Sequence, residues 1–484
     1  MKRCDVLIVG GGGSGLAAAI TAAELGKSVI LIEKAPAIGG STGWSIGSIT
    51  AAGTPDQHAA GISDSPAEHL ADMPAWAGAQ ANRDNMELCE VLTTQAPGVI
   101  EWLRSSGVEF IGPFEEPPHR KPRMHNVLPN SRSFIYHLSR RAAKASVEIY
   151  VNTCAQRLTQ RDGRVTGVEA RDSRGETTAF HAKAVVLAAG DFNASRDFKL
   201  EYGSDAQVSI PAVNSYATGD CHRIARDAGA TILNGDIAFN DPRFRFAPPP
   251  REPWLLSLPP IKPLTRLMRW GLQNLPPRLI RPFVMSFVTT ALAPEANLFN
   301  KGAILVNKRG ETFMKDGEKI GFGIARQPEG VAYALMDARL VNMFSKWPNF
   351  ISTAPSVAYA YIGDYVTNRP DLCARAATPT KLAAMRDMDA RSLENSAMQS
   401  GLSQGPFLLL GPIGAYTILA DAGLAVTPRL EVTDATGKPI PGLFAAGSTG
   451  QGGMLLKGHG HHLAWAFGSG RVAGKHAAEF SSHF

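Results

Sequence analysis

The chain has 484 residues, 44% hydrophobic and 19% charged, with 49 basic and 43 acidic side chains giving a formal net charge of +6. That apolar content excludes a disordered chain and the charged fraction excludes a coiled coil. So small a charge excess over this length, with no recognised binding motif, does not argue for nucleic acid. The five cysteines (Cys4, Cys89, Cys154, Cys221, Cys373) are scattered without a CxxC, so neither a disulfide framework nor a zinc ribbon is expected, and a reducing, cytoplasmic setting fits.

The apolar residues after Met1-Lys2-Arg3 run into Gly10-Gly11-Gly12-Gly13-Ser14-Gly15 and not into a cleavage site. No apolar run reaches the roughly 18 residues of a membrane span. Asp5–Val9 is a continuous apolar run, predicted as a strand buried on both faces. An alanine-rich helix is predicted from Leu16 to Leu25, then a second buried strand over Ser28–Ile32, closed by Glu33. This is a βαβ unit with GxGxxG at Gly10, Gly12 and Gly15. Gly10 permits the tight turn, Gly12 lets the backbone approach a pyrophosphate, and Gly15 lets helix and strand pack closely. Gly13 and Ser14 open the helix, whose free N–H groups and positive dipole end face the phosphates. Glu33 is placed to accept the hydroxyls of an adenosine ribose.

The stretch Glu33-Lys34 to Gly39-Gly40-Ser41-Thr42 resembles the E-K-x-x-x-x-G-G-(N/S)-(T/S) signature of FAD enzymes in the fumarate reductase and succinate dehydrogenase flavoprotein family. The resemblance continues in Trp102-Leu103 with Gly107-Val108-Glu109-Phe110, in Ala188-Ala189-Gly190, in Ala217-Thr218-Gly219-Asp220 and in Gly302 to Asn307. It closes with Pro441 to Gly447 and Gly470-Arg471-Val472-Ala473-Gly474. It implies an α/β fold. A discontinuous Rossmann-like FAD-binding domain takes residues 1–236 and 411–484, and an inserted α+β cap takes 237–410. It implies cofactor contacts at Lys34, Gly40, Ser41, Thr42, Gly47 and Ser48, at Cys154 and Ala155 beside adenine, and at Ala189, Gly190 and Asp220. Gly447, Ser448, His462 and Leu463 complete the set. None of the twelve histidines stands in the H-S-x-x-A context of covalent attachment, where Ser41-Thr42 stand instead, so noncovalent FAD is expected.

From Pro242 to Pro282 the chain holds eleven prolines and eight basic residues against one acid, Glu252, interleaved with Trp254, Leu255, Leu256, Leu267 and Trp270. Two readings of residues 242–288 stay open: an insertion packed on the cap, or a peripheral contact with anionic membranes.

The loop Gly450 to Leu463 is the richest in reactive groups. Relative to fumarate reductases, Lys457 stands at the place of a substrate-binding Arg and Gly453 at that of a His. Phe239-Asn240-Asp241-Pro242 lacks the cap histidine, and no proton-donating Arg follows Gly310-Glu311-Thr312-Phe313. A dicarboxylate substrate is therefore doubted. The ketosteroid dehydrogenases of the same family use a loop glycine N–H, which Gly460 matches, and the apolar Met454 and Leu456 suit an uncharged cyclic substrate. Lys457, His459, His461 and Tyr416 are the candidate acids, bases and donors, with Tyr359, Tyr361 and Tyr365 behind them. Within one flavin loop, H-x-H-H gives poor tetrahedral geometry, so no metal is expected. The resemblance implies an FAD-dependent enzyme acting on CH–CH bonds. The reaction favoured is α,β-desaturation of a hydrophobic cyclic or steroid-like ketone, with an external electron acceptor or donor. The alternatives are an ene reductase of the fumarate reductase type and a non-catalytic flavin-binding protein.

Overall fold

The computed structural model describes residues 1–239, 242–251, 253–291, 293–354 and 358–484. Asn240, Asp241, Glu252 and the side chains of Leu255 and Leu256, all singled out in the sequence, lie outside the described residues.

Strand β1 (Lys2–Val9) buries Val6, Leu7, Ile8 and Val9, as a run apolar on both faces must inside a parallel sheet. Helix α1 (Gly13–Glu24) begins three residues before the predicted Leu16. Its alanines Ala17, Ala18, Ala19 and Ala22 are fully buried. Strand β2 (Val29–Ile32) pairs parallel with β1, Val6 opposite Val29. Helix α2 (Pro66–Ala77) is capped by Ser65, whose Oγ accepts the Glu68 N–H at 3.2 Å. Strand β3 (Glu148–Tyr150) adds to β2 in parallel. Strands β4 (Thr153–Arg161) and β5 (Arg164–Asp172) form an antiparallel pair leading into β6 (Thr177–Leu187), which lies parallel to β1 on its other side.

The cap sheet is antiparallel. Strand β7 (Arg243–Phe246) is followed by helices α3 (Lys262–Asn274) and α4 (Pro277–Ala291), then by β8 (Ile304–Val306), β9 (Val331–Met336), β10 (Cys373–Ala376) and β11 (Phe407–Tyr416). The order is β7-β11-β9-β8, with β10 also on β11. Its own core gathers Ala332, Leu335, Met336, Leu409 and Leu410. The division expected between 410 and 411 falls inside β11, which pairs with cap strands on both sides of that point.

The chain then returns. Strands β12 (Glu431–Thr433) and β13 (Pro439–Ala445) complete the main sheet in the order β12-β13-β6-β1-β2-β3, with β13 parallel to β6. Helix α5 (His461–Ser481) lies against α1, where a Cβ on Gly470 would stand 2.4 Å from Ser14 O and one on Gly474 2.4 Å from Ala18 O. Only glycine permits that approach. The architecture is thus a discontinuous parallel α/β domain with an inserted cap. Among the described residues no helix is long and apolar enough to cross a membrane.

Candidate active site

The three glycines after β1 have separate tasks. Gly10 takes φ +111°, and a Cβ there would lie 2.5 Å from Ala188 O. A Cβ on Gly15 would lie 1.8 Å from Gly10 O, so the first helical turn is tucked against the strand end. A Cβ on Gly12 meets nothing within 4 Å, because Gly12 faces an open cleft.

That cleft has a volume of about 550 Å³, within the usual span for a ligand site. Every cofactor residue expected from the sequence lines it except Gly15, Gly47 and Ser48. Gly47 instead holds a turn at φ +82° where a Cβ would lie 2.3 Å from the Val127 side chain, and buried Ser48 donates to Asn126 Oδ1 at 2.6 Å. Glu33 accepts N–H bonds from Gly11 at 2.7 Å and Ala35 at 2.8 Å, which fixes its carboxylate at the end of β2. Lys34 Nζ pairs with Asp220 at 2.6 Å and also with Thr218. Thr42 Oγ1 accepts the Gly13 N–H at 3.1 Å, and Asn214 Nδ2 donates to Ser41 Oγ at 3.0 Å. Burial, with Asp220 nearby, pushes the Cys154 thiol upward, so Cys154 is a lining residue and no nucleophile. Trp44 is 55% exposed on the cleft wall and fills no core. A long cleft with a glycine floor at Gly12, a helix N-terminus and a carboxylate at the end of β2 fits a dinucleotide cofactor.

Asp191 follows the Ala188-Ala189-Gly190 motif but was not among the expected site residues. It is buried in the wall of the same cleft, and burial pushes its carboxyl up to about 7 against the N–H bond from Asn193.

Beyond the cleft, the loop before α5 places its basic groups against acids. Lys457 Nζ pairs with Asp421. His459 bonds to the buried Glu116 through both its backbone N–H (2.9 Å) and its Nδ1, while its side chain stays half-exposed. His462 lines the cleft, and burial lowers it to about 3, with Lys457 and Arg243 adding positive potential. Tyr416, opposite Arg243 in the β7–β11 register, lies under the Arg245 guanidinium at 4.7 Å, and burial raises its hydroxyl. Gly460 caps α5 at φ +92°, where a Cβ would lie 2.6 Å from Thr50 N.

Three expectations change. Met454 and Leu456, assigned to substrate, are fully buried in the main core, because the loop folds inward and ties Leu455 N–H to Asp84 at 2.8 Å and Met454 O to Gln451 Nε2 at 2.7 Å. Tyr365 is a core residue bonded to Ser352 Oγ at 2.8 Å, with its hydroxyl raised by burial, and Tyr361 lies under Arg281. His461 does not face the cleft. Its Nδ1–H donates to Lys457 O, and its Nε2 lies 3.1 Å from Nε2 of His69, with His119 alongside. Neither His69, His119 nor Glu116 carried a sequence signal.

A family model described as an FAD binding domain matches residues 5–242 and 262–461. The chain belongs to that family, FAD_binding_2, and is an FAD-dependent oxidoreductase. It is 28% identical over 98% of its length to urocanate reductase of Eggerthella lenta, covering 74% of that protein. It is 26% identical over 99% of its length to vinyl phenol reductase of Lactiplantibacillus plantarum, covering 97% of it. Among solved structures it resembles an open flavocytochrome c3 fumarate reductase (TM-score 0.74, 22% identity, 99% of this chain and 79% of that one). It also resembles 3-ketosteroid delta1-dehydrogenase from Sterolibacterium denitrificans (TM-score 0.68, 18% identity, 99% and 100%). These two likenesses concern the fold.

Proposed function

We propose that the chain holds FAD noncovalently and reduces an activated carbon–carbon double bond in an apolar substrate that is not a dicarboxylate. The observation that carries this reading is that Lys457 and His459, the loop's candidate donors, already face acids, Asp421 and Glu116. Two carboxylates on a substrate need cations free to meet them, and here each candidate comes with its own counter-charge. The direction follows the two relatives matched along nearly all of this chain, both named reductases.

Bound FAD supplies the hydride donor or acceptor. The protein supplies the proton. Glu116 takes the Nδ1–H of His459 and fixes that ring, leaving Nε2 as the nitrogen that gives a proton to the substrate carbon. Arg243 sets a positive potential beside His462, where negative charge develops on the activating group. The reverse reaction, desaturation of an apolar cyclic ketone, uses the same pair with Nε2 as base and is the second reading. Anaerobic titration decides among them. Apolar enones and vinyl-aromatics should reoxidise the reduced protein, and fumarate should not. Rapid reoxidation by fumarate overturns the reading, and bleaching of the oxidised protein by saturated ketones favours the second.

We also propose a lipid contact for the insertion. Trp254, Leu267, Trp270, Leu279 and Phe283 are each more than half exposed, among the exposed cations Lys262, Arg266 and Arg278. The opposite face of α4 buries Met285 and Val288, so the packed and the exposed readings apply to different faces. The protein should sediment with anionic vesicles at low salt and be released at high salt, since such charges are screened within about 10 Å at 0.1 M. Equal sedimentation with neutral vesicles, or none with anionic ones, refutes the contact.

A further inference from the structure

We propose that His69, His119 and His461 bind a divalent transition-metal ion of the zinc type, which ties three distant segments together. His69 lies on α2, His119 in the turn before Arg123, and His461 at the first position of α5. All three are buried, with ring centroids 5.2, 5.3 and 5.2 Å apart. One nitrogen of each lies within 4.8 Å of the other two, and no ion is present.

These spacings are those of a ligand set slightly expanded. A tetrahedral ion bound at about 2.0–2.1 Å holds its ligand nitrogens roughly 3.3–3.4 Å apart. The two Nε2 atoms of His69 and His461 are already 3.1 Å apart. His119 has to close in by no more than about 1.5 Å.

The surroundings also suit an ion. His461 turns its Nδ1–H to Lys457 O, which leaves Nε2 with a lone pair facing His69. With Nε2 of His119 on the metal, its Nδ1 carries the proton, and Arg123 Nη1, which donates to Nδ1 at 3.1 Å in the metal-free structure, must turn aside for that proton to reach Asp72 Oδ2, 3.9 Å away. The Trp76 indole N–H, 3.2 Å from that Nε2, gives way when the ion enters. Arg123, whose guanidinium touches His119, is held at 2.6 Å by both Asp64 and Asp72, so its charge is balanced.

The loop's own H-x-H-H does not form this site, because His459 turns to Glu116 and His462 to the cleft. Three imidazoles leave one position for water. The ion takes no part in the proton transfer proposed above; it fixes the loop carbonyl of Lys457 and the start of α5.

The test uses the flavin-loaded protein, stripped with chelator, dialysed against zinc and then against buffer, with metal measured by mass spectrometry. About one zinc per chain is expected, with a higher melting temperature than the stripped form. His69→Gln and His119→Gln should each lose the zinc and the thermal shift while keeping flavin absorbance, and the surface control His58→Gln should keep both. Wild-type protein that retains no zinc, or both variants retaining it at the wild-type level, overturns the site.

Discussion

Gly12→Leu should yield a folded but colourless protein. The substituted side chain has free space, since nothing lies within 4 Å of a Cβ there, and that space is the floor of the cleft where the pyrophosphate meets the start of α1. Losing about 3 kcal/mol of cofactor contact lowers affinity more than a hundredfold. Far-UV circular dichroism should stay at the wild-type level while bound flavin falls to near zero. Gly15→Leu provides the contrast: a Cβ 1.8 Å from Gly10 O cannot be placed, so that variant should fail to fold. Wild-type protein should be yellow and release all its flavin on denaturation. Flavin retained by Gly12→Leu removes that residue from the cradle, and flavin left on denatured wild type refutes noncovalent binding.

The second large effect belongs to His459 and Glu116. His459→Ala should slow oxidation of the reduced flavin by the best substrate of the panel by about a hundredfold or more, the usual contribution of a positioned proton donor. Glu116→Gln should cause a smaller loss, because an oxygen acceptor for the His459 Nδ1–H remains while the charge that stabilises the imidazolium is gone. Both variants should keep the flavin bound, since neither residue lines the cofactor cleft. Lys457→Met should weaken turnover less than His459→Ala, its charge being balanced by Asp421. Stopped-flow rates near wild type in His459→Ala would transfer the proton to Tyr416, the candidate under Arg245.

What could be read in advance follows from the range of each constraint. The glycine loop was legible because its tasks are local: a strand, a turn with positive φ and a helix start impose residue types at fixed spacing. The cleft wall at Ala189, Gly190, Gly447 and Ser448 was legible through family motifs. The pairing of His459 with Glu116 joins positions 343 apart, and that of His461 with His69 joins positions 392 apart, with no local pattern at either partner. Met454 and Leu456 misled because a glycine-rich loop suggests exposure, whereas Asp84 and Gln451 satisfy its backbone and let the side chains turn inward.

The return of the chain to its starting domain sets an order of assembly. Strand β13 must slot beside β6, and α5 must settle on α1 through Gly470 and Gly474, before the cleft has its second wall of Gly447, Ser448, His462 and Leu463. During synthesis, the first half of the nucleotide cradle therefore emerges hundreds of residues before the segment that closes it. Pairings so distant in sequence form slowly and leave apolar strand edges exposed meanwhile. Cofactor capture is thus a late event in the life of the nascent chain, and the supply of FAD when residues 447–466 fold should govern how much of the newly made protein escapes aggregation.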